Sequence, residues 1–159
     1  MPERLYFRLP QGARDYFNMD RDGLDTFFDA YYLCALCGML FEQLGVETGL
    51  EPQYFIERYP AVFHSKRELI AACLIDTEMR RQGIAKGDRS RIQSLISELT
   101  ANNDVLLSEE GVKTLNLYAA GGFELMRDRI VRTNDISTLL VNVVDLLHGE
   151  AEEAPADMA

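Results

Sequence analysis

The chain has 159 residues, 47% of them hydrophobic, and its 26 acidic and 16 basic side chains give a formal charge of −10. This length suits one domain, and a fold of this size hides roughly 70% of the surface of its unfolded chain, so a core needs no disulfide or metal. The acidic balance argues against a protein that coats duplex DNA, because such proteins neutralise phosphates with basic side chains.

The amino-terminal end, from Met1, has neither the basic-then-apolar order of a secretory signal nor a span of about 20 apolar residues. Three cysteines, an odd number, fit reduced thiols. We therefore expect a soluble protein of the cytoplasm with no membrane contact.

The first residues predict a short strand. The segment "ERLYFRLP" alternates apolar and polar side chains and is followed by two breakers, Pro10 and Gly12. The next stretch, "ARDYFNMDR", has room for two helical turns before the break at 22–23.

Two helices are predicted between residues 25 and 60. Asp25 is a suitable N-cap for a helix over 27–44, which Gly45 would close. In "EPQYFIERYP", Pro52 stands where a first helical turn tolerates proline, and Pro60 ends the segment.

The middle of the chain carries the clearest helix signals. In "SKRELIAACLIDTEMRRQG", Ser65 and Glu68 have the spacing of a capping box, and Gly83 stands at the position of a helix C-cap. The following helix starts at Asp88 or Ser90.

Two further helices complete the prediction. Ser108 caps "EEGVKTLNLYAAGGFELMRDRI", with a candidate kink at the glycine pair 121–122. Asn134 or Asp135 caps "ISTLLVNVVDLLHG", which ends at Gly149. The expected architecture is an all-α, single-domain bundle of six to seven helices with one short amino-terminal strand.

The carboxyl-terminal end differs in composition from the rest. It carries four acidic residues and no basic one, and so supplies −4 of the total charge of −10: Glu150, Glu152, Glu153 and Asp157. The sequence therefore predicts a helical domain over 1–149 and a disordered acidic tail over 150–159.

Cys34 and Cys37 stand three apart in "FFDAYYLCALCGMLF" and share a helical face, so a metal site or a redox pair has to be considered. A structural zinc needs two more ligands, and Cys73, His64 and His148 offer no second close pair. A redox pair favours a helix amino terminus, whereas these thiols lie in mid-helix among apolar side chains. Packing in the core is the favoured interpretation, and we expect no metal.

Residues 18–29, "NMDRDGLDTFFD", are called the acidic loop. Five residues match positions one, three, five, six and twelve of a calcium-binding helix–loop–helix: Asn18, Asp20, Asp22, Gly23 and Asp29. Against this, Asp25 replaces the usual aliphatic residue, and position twelve is Asp rather than Glu. The alternative is an acidic turn between helices with Asp25 as N-cap.

Residues 80–91, "RRQGIAKGDRSR", are called the basic turn. One acid, Asp88, opposes five cations for a local charge of +4: Arg80, Arg81, Lys86, Arg89 and Arg91. Because the turn also holds a helix start, it suits contact with phosphates or an acidic partner. The alternative is a solvated helix end, where arginines are common.

Residues 52–63, "PQYFIERYPAVF", are called the aromatic segment. Four rings flank Pro60 in this short stretch: Tyr54, Phe55, Tyr59 and Phe63. Interfaces favour such rings. The alternative is that the segment folds over the core as a lid.

The sequence offers no arrangement for catalysis. Its histidines, His64 and His148, lack a glycine-flanked serine elbow, and no phosphate loop or dinucleotide fingerprint occurs. Glu42 and Glu78 lie on apolar helices and could face inward. We expect a protein that is not an enzyme and has no cofactor.

Three segments together resemble a known family: "ERLYFRLPQGARDYF…G…FFDAYYLCALCGML", "ELIAACLIDTEMRRQGI" and "LNLYAAGGFELM". In this order they are similar to the small DndE-type proteins of bacterial DNA phosphorothioation (DNA sulfur modification) systems, over residues 3–130 in outline. The resemblance implies a helical, non-catalytic accessory protein that self-assembles and works beside larger enzymes on DNA. It also implies binding of nicked duplex through basic surface residues, which here are those of the basic turn.

The first hypothesis is a helical interaction subunit of a bacterial DNA-modification or anti-phage defence complex. It would bind protein subunits through the aromatic segment, form homo-oligomers, and have DNA nearby. The alternatives are direct binding of nicked duplex by the basic turn and calcium binding by the acidic loop.

Overall fold

The computed structural model describes residues 6–17, 26–130 and 136–153, and six α-helices make up most of them. Their bounds are α1 Ala13–Tyr16, α2 Phe27–Leu40, α3 Arg67–Gln82, α4 Arg89–Leu99, α5 Glu109–Arg129 and α6 Ile136–Glu153. Two 3-10 helices, Glu47–Gly49 and Ala61–Lys66, lie between α2 and α3. The predicted all-α fold is confirmed.

The extended residues 6–10 run antiparallel to residues 49–56. The N–H of Phe7 donates to the carbonyl of Ile56 at 3.0 Å, and the N–H of Glu51 donates to the carbonyl of Leu9 at 2.8 Å. Within the described ranges these contacts give isolated bridges and no strand, so the predicted strand is not confirmed. The helix predicted over 51–60 is wrong, because its backbone groups bond to residues 6–10 instead of to a helical turn.

The ends of α2 differ from the prediction. Thr26 precedes the helix, and its N–H donates to Asp29 Oδ2 at 2.8 Å. The helix ends at Leu40 because Glu42 takes a left-handed φ of 52° and the N–H of Gln43 turns back to the carbonyl of Gly38. The proposed cap, Asp25, lies outside the described residues.

The predicted ends of the next helices are mostly confirmed. Gly83 has a φ of 66° at the end of α3, the Asp88 carboxylate accepts the N–H of Arg91, and the Ser108 hydroxyl accepts the N–H of Gly111. The capping box at Ser65 is wrong, because that residue lies inside the 3-10 helix and no side chain caps α3.

The centre of the fold is the crossing of α2 over α5, which glycines make close. A Cβ added to Gly122 would lie 1.8 Å from the Cys34 carbonyl oxygen, and one on Gly38 would lie 1.9 Å from the Tyr118 carbonyl oxygen. Residues 109–129 form one helix through the glycine pair. Gly45, the predicted cap of α2, instead packs on α5 and donates its N–H to the Leu117 carbonyl.

Helix α6 lies at the carboxyl-terminal end and contributes Leu139 and Val143 to the core. It extends to Glu153, four residues beyond the predicted end at Gly149. Its predicted caps, 134 and 135, and the tail from residue 154 onwards lie outside the described residues. None of the helices described has the length and apolar character that crossing a membrane requires.

Candidate interaction surfaces

Cys34 and Cys37 are buried in the core, as the sequence predicts. Burial raises the pKa of Cys37 to about 11 and also raises the pKa of Cys34, with a smaller contribution from the neighbouring Cys37. Both thiols therefore stay protonated near pH 7, which makes them poor nucleophiles and poor metal ligands. Within residues 6–17, 26–130 and 136–153, no three His, Cys, Asp or Glu side chains gather as metal ligands would.

Most of the acidic loop lies outside the described residues, so calcium binding there stays a prediction. Its last residue, Asp29, is described, and one of its carboxylate oxygens accepts both the N–H of Thr26 and the Thr26 hydroxyl, at 2.8 and 3.3 Å. These hydrogen bonds stabilise the first turn of α2.

Two arginines of the basic turn are held by carboxylates. Arg81 binds Glu78 with two hydrogen bonds, from Nε at 2.9 Å and from NH2 at 2.7 Å. Arg80 binds Glu42 at 3.0 Å and Asp76 at 3.1 Å. Both arginine side chains are still about 40% exposed, but each lies against a carboxylate of its own chain, so each offers less net charge to a ligand than an unpaired cation would.

The other three cations of the basic turn are exposed: Lys86, Arg89 and Arg91. Among the described residues none of them forms a salt bridge. Asp88 accepts the N–H of Arg91, so the one acid between them is used as the N-cap of α4. The free charge of the basic turn is thus concentrated on the start of α4, whose amino-terminal dipole also favours negative groups.

Glu78 is the buried acid of α3, and its carboxylate joins α3 to α5. It accepts hydrogen bonds from Arg81, from Gln82 at 2.8 Å and from the Tyr118 hydroxyl. Burial by itself raises the pKa of Glu78, but these donors outweigh it and leave the pKa below its ordinary value. Of the two acids that the sequence left open, Glu78 faces inward and Glu42 is exposed.

The rings of the aromatic segment are placed at very different depths. Tyr59 and Phe63 are buried and pack against Phe28, and Phe55 is half-buried against the same core. Only Tyr54 is exposed, and its ring stacks on Tyr6 with 3.8 Å between centroids. These positions favour the alternative that the segment covers the core as a lid, and they leave Tyr54 as its candidate contact residue.

An open groove of about 970 Å³ runs between residues 6–8, the 3-10 helix Glu47–Gly49 and the start of α5. Its two cations are paired inside it, Arg8 with Glu47 at 3.1 Å and Lys113 with Glu109 at 3.2 Å. No local pattern in the sequence indicates this groove, because the segments that build it lie about 40 and 100 residues from the first of them.

Asn116 forms the floor of the groove and fixes the extended amino-terminal segment. Its side-chain amide donates to the Tyr6 carbonyl at 3.1 Å and accepts the N–H of Arg8 at 3.2 Å, as a neighbouring strand would. Its oxygen also accepts the hydroxyl of Tyr31 at 2.7 Å. These three hydrogen bonds from one buried side chain hold the amino-terminal segment, α2 and α5 in one arrangement.

Helix α6 exposes apolar side chains that the sequence analysis did not single out. Leu139 and Val143 face the core, but Leu140, Val141 and Val144 lie on the surface, and Val141 is 57% exposed. We call these three residues the α6 patch. The signal in the sequence was the run "LLVNVV", where apolar residues occupy more of the helix than one face can bury.

Comparison with known protein families, with curated proteins and with solved structures finds no match to this chain.

Proposed function

We propose that this chain is a non-catalytic helical interaction subunit of a bacterial multiprotein complex in the cytoplasm that modifies DNA or defends against phage. The DNA context comes from the resemblance to the DndE-type proteins of DNA phosphorothioation. The interaction role is supported by the α6 patch. The aromatic segment, where the first hypothesis placed the interface, contributes Tyr54 at most.

The α6 patch carries the proposal because its residues form a contiguous apolar surface. Leu140 and Val144 are one turn apart on the helix, and Val141 lies beside them. Single exposed apolar residues are ordinary, but adjacent ones on a helix whose other face already packs on the core are typical of a surface that a partner covers. Fully burying an exposed valine or leucine contributes about 1.5 to 3 kcal/mol, so covering these half-exposed side chains contributes roughly half of that each to an association.

The test is affinity purification of tagged protein from its own cells, with the wild type, Val141→Asp and the control Val62→Asp. Val62 is 73% exposed and lies outside the α6 patch, in the aromatic segment, so it carries the same change on the surface that the first hypothesis favoured. We expect the wild type and the control to recover the same partner proteins in the same amounts. Val141→Asp should recover at least tenfold less of them, because a buried unpaired charge costs the association more than about 1.4 kcal/mol. Equal recovery from all three proteins would refute the role of the patch.

A second candidate function is direct binding of nicked duplex by the basic turn. It is supported by the three exposed cations at the start of α4, which have no salt bridge among the described residues. Arg80 and Arg81 contribute less to DNA binding than the sequence-based hypothesis assigned to them, because both are paired with carboxylates.

This candidate predicts salt-dependent binding of nicked duplex. Changing Lys86, Arg89 and Arg91 to Ala should weaken binding and make the slope of log K against log salt shallower by about 2 to 3, since each lost phosphate contact changes it by roughly 0.9. The control changes Arg58, Lys66 and Arg67 to Ala and removes the same charge elsewhere. If the two triple variants weaken DNA binding equally, binding depends only on net charge, and a DNA site at the basic turn is excluded.

A further inference from the structure

We propose that the open groove beside α5 binds an extended, arginine-bearing segment of another protein, whose cationic side chains contact the stacked pair Tyr6–Tyr54 and the carboxylates at the start of α5. The groove shares no residue with the α6 patch, so this inference goes beyond the proposed function and does not depend on it. Three properties of the groove support it: its size, its aromatic lining and its unbalanced charge.

The size of the groove suits a stretch of chain. Its volume of about 970 Å³ lies at the upper end of the roughly 300 to 1,000 Å³ of sites that enclose a small molecule, yet this groove is open to solvent. A small molecule in so open a groove would stay largely in water. An extended segment can lie along the groove and continue into solvent beyond it.

Part of the lining is aromatic or apolar and can be reached from solvent. Tyr6 and Tyr54 stack on each other, and Tyr54 keeps 46% of its surface exposed. Val46 lines the same groove and is 64% exposed. A reachable tyrosine ring attracts a guanidinium or ammonium group over its face, and an apolar neighbour such as Val46 can cover the aliphatic stem of that side chain.

The charge of the groove is unbalanced toward the negative. Three carboxylates line it, Glu47, Glu109 and Glu110, against two cations, Arg8 and Lys113. Each cation binds one of the first two acids, which leaves Glu110 exposed and, within the part of the chain that the structure describes, without a salt bridge. The side chain of Glu47 is paired but still 80% exposed, so a ligand can reach it too.

An anionic ligand such as a phosphate does not fit this charge. The amino-terminal end of α5 carries the positive end of the helix dipole, but Glu109 and Glu110 stand in its first turn and repel anions. The Ser108 hydroxyl also occupies the N–H of Gly111. The formal charge of −10 on the whole chain attracts cations at long range. The occupant of the groove is therefore cationic.

The segment is held by its side chains and not as an added strand. An extended peptide can pair with exposed backbone groups at the edge of another extended segment. Here Asn116 already accepts the N–H of Arg8 and donates to the carbonyl of Tyr6, so those two backbone groups are occupied. Recognition therefore depends on the positive charge of the segment and on contact with the tyrosine pair.

The test titrates the protein with a short peptide of alternating glycine and arginine, and with the same peptide in which neutral citrulline replaces every arginine. Calorimetry in about 50 mM salt, where exposed charges are weakly screened, measures both dissociation constants. We expect the arginine peptide to bind at least about tenfold more tightly than the citrulline peptide. It should exceed N-acetyl-arginine amide by about tenfold as well, because several linked side chains bind together.

Two variants of α5 locate the site. Glu110→Lys reverses a charge in the groove, and Glu124→Lys makes the same change at an exposed position about 21 Å further along the helix, at 1.5 Å per residue. Glu110→Lys should weaken binding of the arginine peptide about tenfold or more, because a repulsion replaces an attraction. Glu124→Lys should leave it within about twofold, because that distance exceeds the screening length.

Two variants of Tyr54 test the aromatic contact. Tyr54→Leu removes the ring and should weaken binding of the arginine peptide about two- to fivefold, whereas Tyr54→Phe keeps the ring and should bind as the wild type does. Thermal unfolding shows that each variant is folded.

The inference is overturned if the arginine peptide does not bind or binds no better than the citrulline peptide. Equal weakening by Glu110→Lys and Glu124→Lys, or no effect of Tyr54→Leu, would exclude the groove as the site. Equally tight binding of N-acetyl-arginine amide would assign the groove to a small molecule. Val141→Asp should bind the arginine peptide as the wild type does, so the groove and the α6 patch stand or fall separately.

Discussion

At the residue scale, Glu78 explains why the sequence overstated the basic turn. Five cations within twelve residues indicate a basic surface only if none has an internal partner, and the acid that binds Arg81 lies three residues before it on the same helix. The sequence shows the spacing of Glu78 and Arg81, but it does not show that Glu78 is buried, because that burial depends on Tyr118 from α5. Arg81 therefore acts as a structural residue that satisfies a buried carboxylate.

Glu78→Gln should destabilise the protein by about 1 to 3 kcal/mol at pH 7, since charged hydrogen bonds to a buried group are replaced by weaker ones. The exposed pair of Asp76 with Arg80 provides the control, and Asp76→Asn should change the free energy of unfolding by less than about 1 kcal/mol. Urea unfolding of the three proteins measures both. An equal effect of the two changes would contradict the structural role of Glu78.

The same network sets a pH dependence. The pKa of Glu78 in the folded state lies below its ordinary value of 4.5, so the unfolded chain takes up a proton first as the pH falls. The advantage of the wild type over Glu78→Gln should therefore be complete above pH 4.5 and shrink as the pH falls toward the lower folded pKa. Urea unfolding between pH 7 and pH 3 measures it, and an advantage that grows below pH 4.5 would show that the sign is wrong.

At the scale of elements, α2 and α5 can cross this closely only because glycines, which have no side chain, occupy the contact. Gly122 and Gly38 bring the two backbones together, Gly121 packs on the turn that follows α2, and Asn116 and Tyr31 join the two helices by a hydrogen bond. The sequence shows that α5 contains small residues, but it does not show that they pack on α2, because the two helices are about 80 residues apart in the chain. Without the packing partner, a glycine pair inside a helix indicates a candidate kink, which is how the sequence analysis interprets it.

Gly122→Ala should destabilise the protein by about 3 kcal/mol, at the upper end for overpacking, because its Cβ would overlap backbone atoms that cannot move alone. For a chain of this length that lowers Tm by roughly 6 to 12 °C. Gly87→Ala is the control, since nothing lies within 4 Å of its added Cβ. Thermal unfolding that is the same for both variants would disprove a close crossing at Gly122.

At the scale of the whole molecule, the sequence predicted what local signals determine. The caps of α4 and α5 and the end of α3 follow from one or two residues each, and they are confirmed. Residues 51–60 were misread because their hydrogen bonds go to residues 6–10, which no local pattern indicates. For the rings of the aromatic segment the sequence leaves both an interface and a lid open, because the burial of Tyr59 and Phe63 depends on their contact with α2. The exposure of the α6 patch likewise depends on which face of α6 packs on the core.

The central claim is that the α6 patch contacts protein, and photo-crosslinking in the native cell tests it most directly. A benzophenone amino acid would replace Val141 in one protein and Val62 in another. We predict discrete crosslinked products of higher mass from position 141 and none of these from position 62. The same products from both positions, or none from position 141 in a protein that unfolds at the wild-type temperature, would contradict the account.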